Sequence, residues 1–248
     1  MRNLIIVISV VFIAIIAVSY FYFSDLDEND AASQPPVAVS EEVDTTRAES
    51  PASNGSLWTF SLNSGAITAP SVHLYSDSTR FILIQDAYHI LHAISADGQK
   101  LWNAQLPGPI VDSISQLSDR SLVFTTAERL YRIDTEGDPL PGFSLKLPQR
   151  ATQGVVATDQ PADDGRIRIE VTGNRQVMSY DGRGRLLRQH ARSSNDRAND
   201  ENGRTDEVPL ADLPNDCGPL VYAGPLYDDD QQYLLCGKSD GDLYCFPY

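Results

Sequence analysis

Cysteine and histidine are scarce in this chain, with three and four residues respectively among 248. Three cysteines do not build a disulfide framework. His89 and His92 are three apart in an extended run, where side chains alternate, so they point to opposite faces and cannot share a metal. His-Glu-x-x-His, Cys-x-x-Cys and Gly-x-Ser-x-Gly are all missing, and nothing singles out one of the many serines as a nucleophile. Positive charge is also short: 19 Lys and Arg face 34 Asp and Glu, for a net charge of −15. That balance argues against nucleic acid and anionic lipid surfaces as partners.

The acidity is unevenly placed. Residues 24–50 hold eight acidic side chains and one arginine, residues 193–218 hold seven against two, and residues 51–192 balance at fourteen of each sign. The two acidic stretches are too polar to bury a core and read as a disordered tether and an insert. Asp163-Asp164-Gly165, Asp228-Asp229-Asp230 and Asp240-Gly241-Asp242 lack the alternating ligands and distal Glu of a calcium loop. They read as solvated turns, and neither a metal nor a cofactor is expected.

One long hydrophobic run is present. Residues 4–23 are apolar or aromatic except Ser9 and Ser19, and as a helix they span about 30 Å, the thickness of a bilayer core. Arg2 precedes the run and Asp25, Asp27, Glu28 and Asp30 follow it. This asymmetry favours a cytoplasmic end at 1–3 and an exported body. Ala17-Val18-Ser19 offers a signal-peptide cleavage site as the rival reading. Tyr20-Phe21-Tyr22-Phe23 suits the interfacial belt of a retained anchor. The expected location is the inner, cytoplasmic membrane, single-pass, with the C-terminal domain periplasmic or extracellular.

Four stretches repeat one pattern of an apolar-aromatic strand and a glycine turn: 91–98, 130–137, 177–184 and the truncated 243–246. His92 to Tyr131 is 39 residues and Tyr131 to Met178 is 47; Met178 to Tyr244 is 66, of which 26 belong to the insert 193–218. A period near 40 is the length of a four-stranded propeller blade. Turn residues divide the units into strands over 71–75, 80–84, 88–94 and 100–106; 111–116, 121–126, 129–134 and 142–147; 154–158, 166–172, 176–181 and 185–190; and 220–224, 232–236 and 242–247. The last unit lacks its fourth strand. Residues 57–67, beginning Leu57-Trp58, align without gaps to 101–111, beginning Leu101-Trp102. Residues 57–62 are therefore the expected outer strand of the last blade. The expected fold is all-β, a small propeller of about four blades over 55–248, with an N-terminal transmembrane helix. Closure within one chain and a homodimer of two half-rings forming an eight-bladed ring are both open.

The run Leu91-His92-Ala93-Ile94-Ser95-Ala96-Asp97-Gly98-Gln99-Lys100-Leu101-Trp102 resembles the PQQ-like β-propeller repeat, with its apolar-Tyr-Ala-x-Asp opening and Gly-Lys-x-x-Trp close. Quinoprotein alcohol dehydrogenases and scaffold lipoproteins of outer-membrane assembly share that repeat. Ser95 departs from the pattern, while Asp134 and Asp181 restore it. Trp102 and Trp58 match the docking tryptophan, Phe143 stands in for it in the second unit, and the third unit has no aromatic there. The resemblance implies the fold; the calcium and aspartate set of the quinone enzymes has no counterpart in this shorter chain.

The expected function is protein binding in the cell envelope, with a small-ligand or glycan sensor as the alternative and quinone-dependent or hydrolytic catalysis behind it. Loops between second and third strands gather on one rim with the inter-blade connections. They place Asp86, Glu128, Asn174, Arg175, Lys238 and Asp240 there as candidate contacts. A four-residue loop over 238–241 puts Cys236 opposite Leu243 and on the face of Cys245, which allows a bridge between them; Cys217 could pair with either.

Overall fold

The computed structural model describes residues 55–159, 167–192, 217, 220–229, 231–238 and 241–248. The anchor at 4–23, the tether at 24–54 and most of the insert lie outside these residues. The described chain is all-β. β1 (Trp58–Ser61) comes first. A first sheet follows, of β2 (Ser71–Leu74), β3 (Arg80–Gln85), β4 (Ile90–Ser95) and β5 (Lys100–Gln105). The second sheet holds β6 (Ser115–Gln116), β7 (Leu122–Thr125), β8 (Arg129–Ile133) and β9 (Leu145–Lys146). The third holds β10 (Ala151–Thr158), β11 (Arg168–Gly173), β12 (Gln176–Asp181) and β13 (Leu186–Ala191). The fourth holds β14 (Val221–Gly224), β15 (Tyr233–Gly237) and β16 (Asp242–Pro247).

β1 completes the fourth sheet, in the order β1-β16-β15-β14, with Trp58 opposite Cys245 and Phe60 opposite Leu243. The result is four sheets of four antiparallel strands, the arrangement of a four-bladed propeller, with the last outer strand supplied from the N-terminal side. Pairing along β16 covers what would otherwise be an exposed strand edge.

The central strands explain why the sheets stack. β3 (Arg-Phe-Ile-Leu-Ile-Gln) is buried from Phe81 to Gln85, and β7 (Leu-Val-Phe-Thr) along its whole length. Continuous apolar runs of this kind suit strands covered on both faces. Phe81, Leu83 and Leu91 of the first sheet pack on Leu122, Phe124 and Tyr131 of the second. Ile82, Ile84 and Ile94 on the other face pack on Leu235, Leu243 and Cys245 of the fourth. Val123 and Leu130 pack on Ile169, Val171 and Met178 of the third. Each fully buried Leu, Ile or Phe contributes about 1.5–3 kcal/mol, so these interfaces are the principal apolar source of stability.

Each of these three interfaces also has a polar lock. Trp58 Nε1 donates to Ala96 O at 2.8 Å and Trp102 Nε1 to Thr135 O at 2.7 Å. The indoles lie on Gly98 (φ 78°) and Gly137 (φ 90°), where an added Cβ would come within 2.7 and 2.8 Å of the rings. Glycine is thus required twice over, for the left-handed turn and for the aromatic that rests on it. At the third interface Arg132 Nη1 donates to Gly182 O at 2.6 Å, and its guanidinium lies 5.8 Å from the Phe143 ring centre.

Several expected boundaries shift for local reasons. The first strand of the second sheet is reduced to Ser115–Gln116, after Asp112 at φ 64°. The outer strand expected over 142–147 is only Leu145–Lys146, because Gly142 and Ser144 take φ of 87° and 75°. β10 starts earlier than expected, at Ala151, with a bulge before Val155. His89, expected within a strand, sits before β4 at φ 62°.

The hairpin at the C-terminal end corrects the expected cysteine geometry. Cys236 faces Tyr244, and Cys245 faces Leu235. The loop is one residue longer than expected, closed by Lys238 N–H to Asp242 O at 2.8 Å, and a one-residue slip moves a side chain to the other face of the sheet. Cys236 and Cys245 therefore cannot bridge. Cys236 is joined instead to Cys217, with Cα atoms 5.4 Å apart, and Cys245 is a buried free thiol.

Candidate functional site

The loops joining second to third strands lie beside the segments that cross from sheet to sheet. Ala87 N–H donates to Gly65 O at 2.8 Å and Leu106 N–H to His89 O at 3.0 Å. Leu147 N–H donates to Glu128 O and Ala151 N–H to Ala127 O, both at 2.8 Å. Arg192 N–H reaches Arg175 O at 2.8 Å. These bonds tie three expected rim loops to their neighbouring crossovers at one end of the sheets.

Asp86 was expected to be a contact residue on this rim, but its side chain is fully buried. Its Oδ1 accepts the N–H groups of Tyr88 and Ile90, each at 3.0 Å, and its Oδ2 lies 3.0 Å from His92 Nε2. A carboxylate that bonds the backbone two residues ahead makes an Asx turn. Burial lowers the His92 pKa, while the bond to Asp86 and its charge act against that shift. The turn holds Tyr88 outward with 64% of its surface exposed. Tyr88 N–H also faces Ser64 Oγ at 3.3 Å, and its carbonyl accepts from Gln105 Nε2 at 2.8 Å. The backbone beneath this aromatic is bonded on both sides, while the ring faces solvent.

The remaining candidates divide. Glu128, Asn174 and Arg175 are exposed at their loops. Lys238 is half-buried, with Nζ 4.0 Å from the centre of the Tyr244 ring. Asp240 lies outside the described residues. Tyr88 stands outside the candidates that the sequence offers because the pattern over 88–94 reads as a strand beginning there. The available signal was Asp86 at the end of a run of apolar residues, a position that starts a turn.

Two buried serine hydroxyls are held by carboxylates. Ser121 Oγ donates to Asp119 Oδ1 at 2.6 Å and accepts from Arg132 Nε at 2.9 Å. Burial pushes the Asp119 carboxyl up, and the bonds from Ser121 and Arg132 outweigh it, leaving the carboxyl below its usual value. Ser179 Oγ donates to Glu170 Oε1 at 3.2 Å. Ser121 and Ser179 thus each donate to a carboxylate rather than to an imidazole that could activate them. Among the described residues no three His, Cys, Asp or Glu side chains converge as a metal site.

No protein-family model matches the chain, and no curated protein sequence does. Solved structures give partial likenesses. One is BBS1N, crystallised in complex with ARL6DN and soaked with mercury: 14% identity, TM-score 0.39, over 71% of this chain and 45% of that one. Another is a protein of unknown function from Bacteroides caccae: 13% identity, TM-score 0.33, over 67% of this chain and 52% of that one. The chain spans about half the length of these structures.

Proposed function

We propose that this chain is a membrane-anchored, exported propeller that binds a partner protein through the loop end of its sheets. The observation that carries this reading is Tyr88, an exposed aromatic on a backbone fixed by the buried Asp86. A rigid tyrosine gives a large contact area at low entropic cost, and tyrosines are enriched among residues that dominate protein interfaces. Exposed Glu128, Asn174 and Arg175 supply the polar surround.

Two further features support the finer reading. The Cys217–Cys236 bond favours an oxidising compartment, as export of the domain requires. Tryptophans seated on glycine turns at Gly98 and Gly137 fit units of the PQQ-like type. The test is co-purification of the full chain from native membranes, comparing wild type, Tyr88→Ala and Ser78→Ala. A partner recovered with wild type and Ser78→Ala but lost with Tyr88→Ala supports the proposal. Equal recovery with all three chains refutes it.

A further inference from the structure

The third sheet differs from the first and second. The first and second sheets have an apolar cluster on each face. The third packs one face on the second sheet and carries polar residues on the other. In that outer face Val156, Glu170, Ser179 and Arg188 form one cross-strand row, from β10 through β11 and β12 to β13. A cavity of about 130 Å³ opens there, lined by Arg168, Glu170, Ser179, Leu187, Arg188 and His190.

Three observations give this cavity its chemistry. Arg168 and Arg188 are exposed, and neither makes an ion pair or side-chain hydrogen bond among the described residues. His190 Nδ1 is buried and has no hydrogen-bond partner among the described residues, a state that disfavours a closed, finished surface. The surrounding stretch 167–192 holds six arginines against Glu170 and Asp181, a local net of +4 in a chain of −15. At the cavity itself Arg168 and Arg188 stand against Glu170, a positive balance in a chain whose total is −15.

The geometry points to this face as a docking surface for an acidic peptide segment of a partner protein, with a side-chain carboxylate entering between Arg168 and Arg188. A cavity of about 130 Å³ is larger than a single water requires and has room for a carboxylate group. Two arginines match a carboxylate in geometry as well as charge. Glu170 decides between anionic partners. It repels an anionic lipid surface or a polyphosphate, which bring no amide donor to offset it, whereas a peptide brings backbone N–H groups that the Glu170 carboxylate and His190 Nδ1 can accept. Val156 and Leu187, 60% and 49% exposed, offer apolar contact to the intervening side chains. This surface is separate from the loop end at Tyr88 and does not depend on it.

The test uses the full chain in a non-ionic detergent and fluorescein-labelled octaglutamate, read by anisotropy. Wild type is expected to bind, Arg168→Gln/Arg188→Gln to bind at least about tenfold more weakly, and Arg183→Gln, exposed and outside the cavity, to bind within about twofold of wild type. Both cavity arginines are exposed, so an unchanged melting temperature separates lost binding from lost folding. Failure of wild type to bind, or equal binding by the double variant, overturns the assignment. Displacement of the probe by inorganic phosphate at lower concentration than by glutarate also overturns it, by marking a phosphate site. So does a dimer in light scattering that the double variant abolishes, since a second copy would then be the occupant.

Discussion

Arg132 donates to the carbonyl of Gly182 at 2.6 Å. Gly182 occupies the turn position held by Ala96 in the first sheet and Thr135 in the second, whose carbonyls accept from Trp58 and Trp102. A guanidinium set by Asp119 and Ser121 and facing Phe143 thus does in one interface what an indole does in two. The conserved element of the architecture is the backbone acceptor; the donor that finds it is interchangeable.

Arg132→Met is expected to lower stability by about 3 kcal/mol, because it leaves the half-exposed Asp119 and the Gly182 carbonyl without their donor. Arg132→Lys should recover less than half of that, since an ammonium cannot reproduce the fork that serves three acceptors. Urea midpoints of the full chain measure both. A Met variant as stable as wild type would show that the interface rests on its apolar cluster alone.

Asp86→Asn keeps the side-chain shape but weakens two charge-assisted bonds to the Tyr88 and Ile90 amides and the contact to His92. The expected loss is about 1–3 kcal/mol, with faster hydrogen exchange at those two amides. Exchange unchanged at Tyr88 would show that the crossover bonds hold the loop without Asp86.

Acid should weaken the fold before the carboxylates titrate. Burial brings the His73 imidazole from 6.5 down to about 4, and burial also lowers His92. A base with a depressed pKa binds fewer protons folded than unfolded, so its contribution is complete above about pH 6.5 and is lost as pH falls toward 4. For His73 the limit is about 3 kcal/mol. Urea midpoints at pH 7.5 and 4.5 should fall for wild type and fall clearly less for His73→Gln. The same fall in both proteins would place the acid sensitivity elsewhere.

The cysteines should report both register and compartment. Burial pushes the Cys245 thiol up to about 12, so maleimide should label it only after denaturation. In cells quenched with acid and alkylated after unfolding, one thiol per chain is expected, with Cys217 and Cys236 protected by their bond. Three alkylated thiols would contradict an oxidising location.

The blades were legible because their inner strands are apolar on both faces and end in glycine turns at a regular interval. The outer strand of the last blade was legible because Leu57-Trp58 repeats Leu101-Trp102. What escaped was short-range geometry without a period: left-handed Asp112 and Ser144, which shorten two strands, and the five-residue loop that turns Cys236 away from Cys245. The rim was legible as a place, through Glu128, Asn174 and Arg175. It was not legible in its buried support, because an aspartate in a turn has the same letter whether it faces solvent, as Asp77 does, or ends inside, as Asp86 does.

The most direct measurement is photo-crosslinking in intact native membranes, with a photoreactive residue placed in turn at Tyr88, at Asn174 and at Ser78 on the opposite loops. Binding through the loop end predicts one discrete higher-mass adduct from Tyr88 and Asn174 and none from Ser78. Adducts from all three positions alike, or from none, would contradict it.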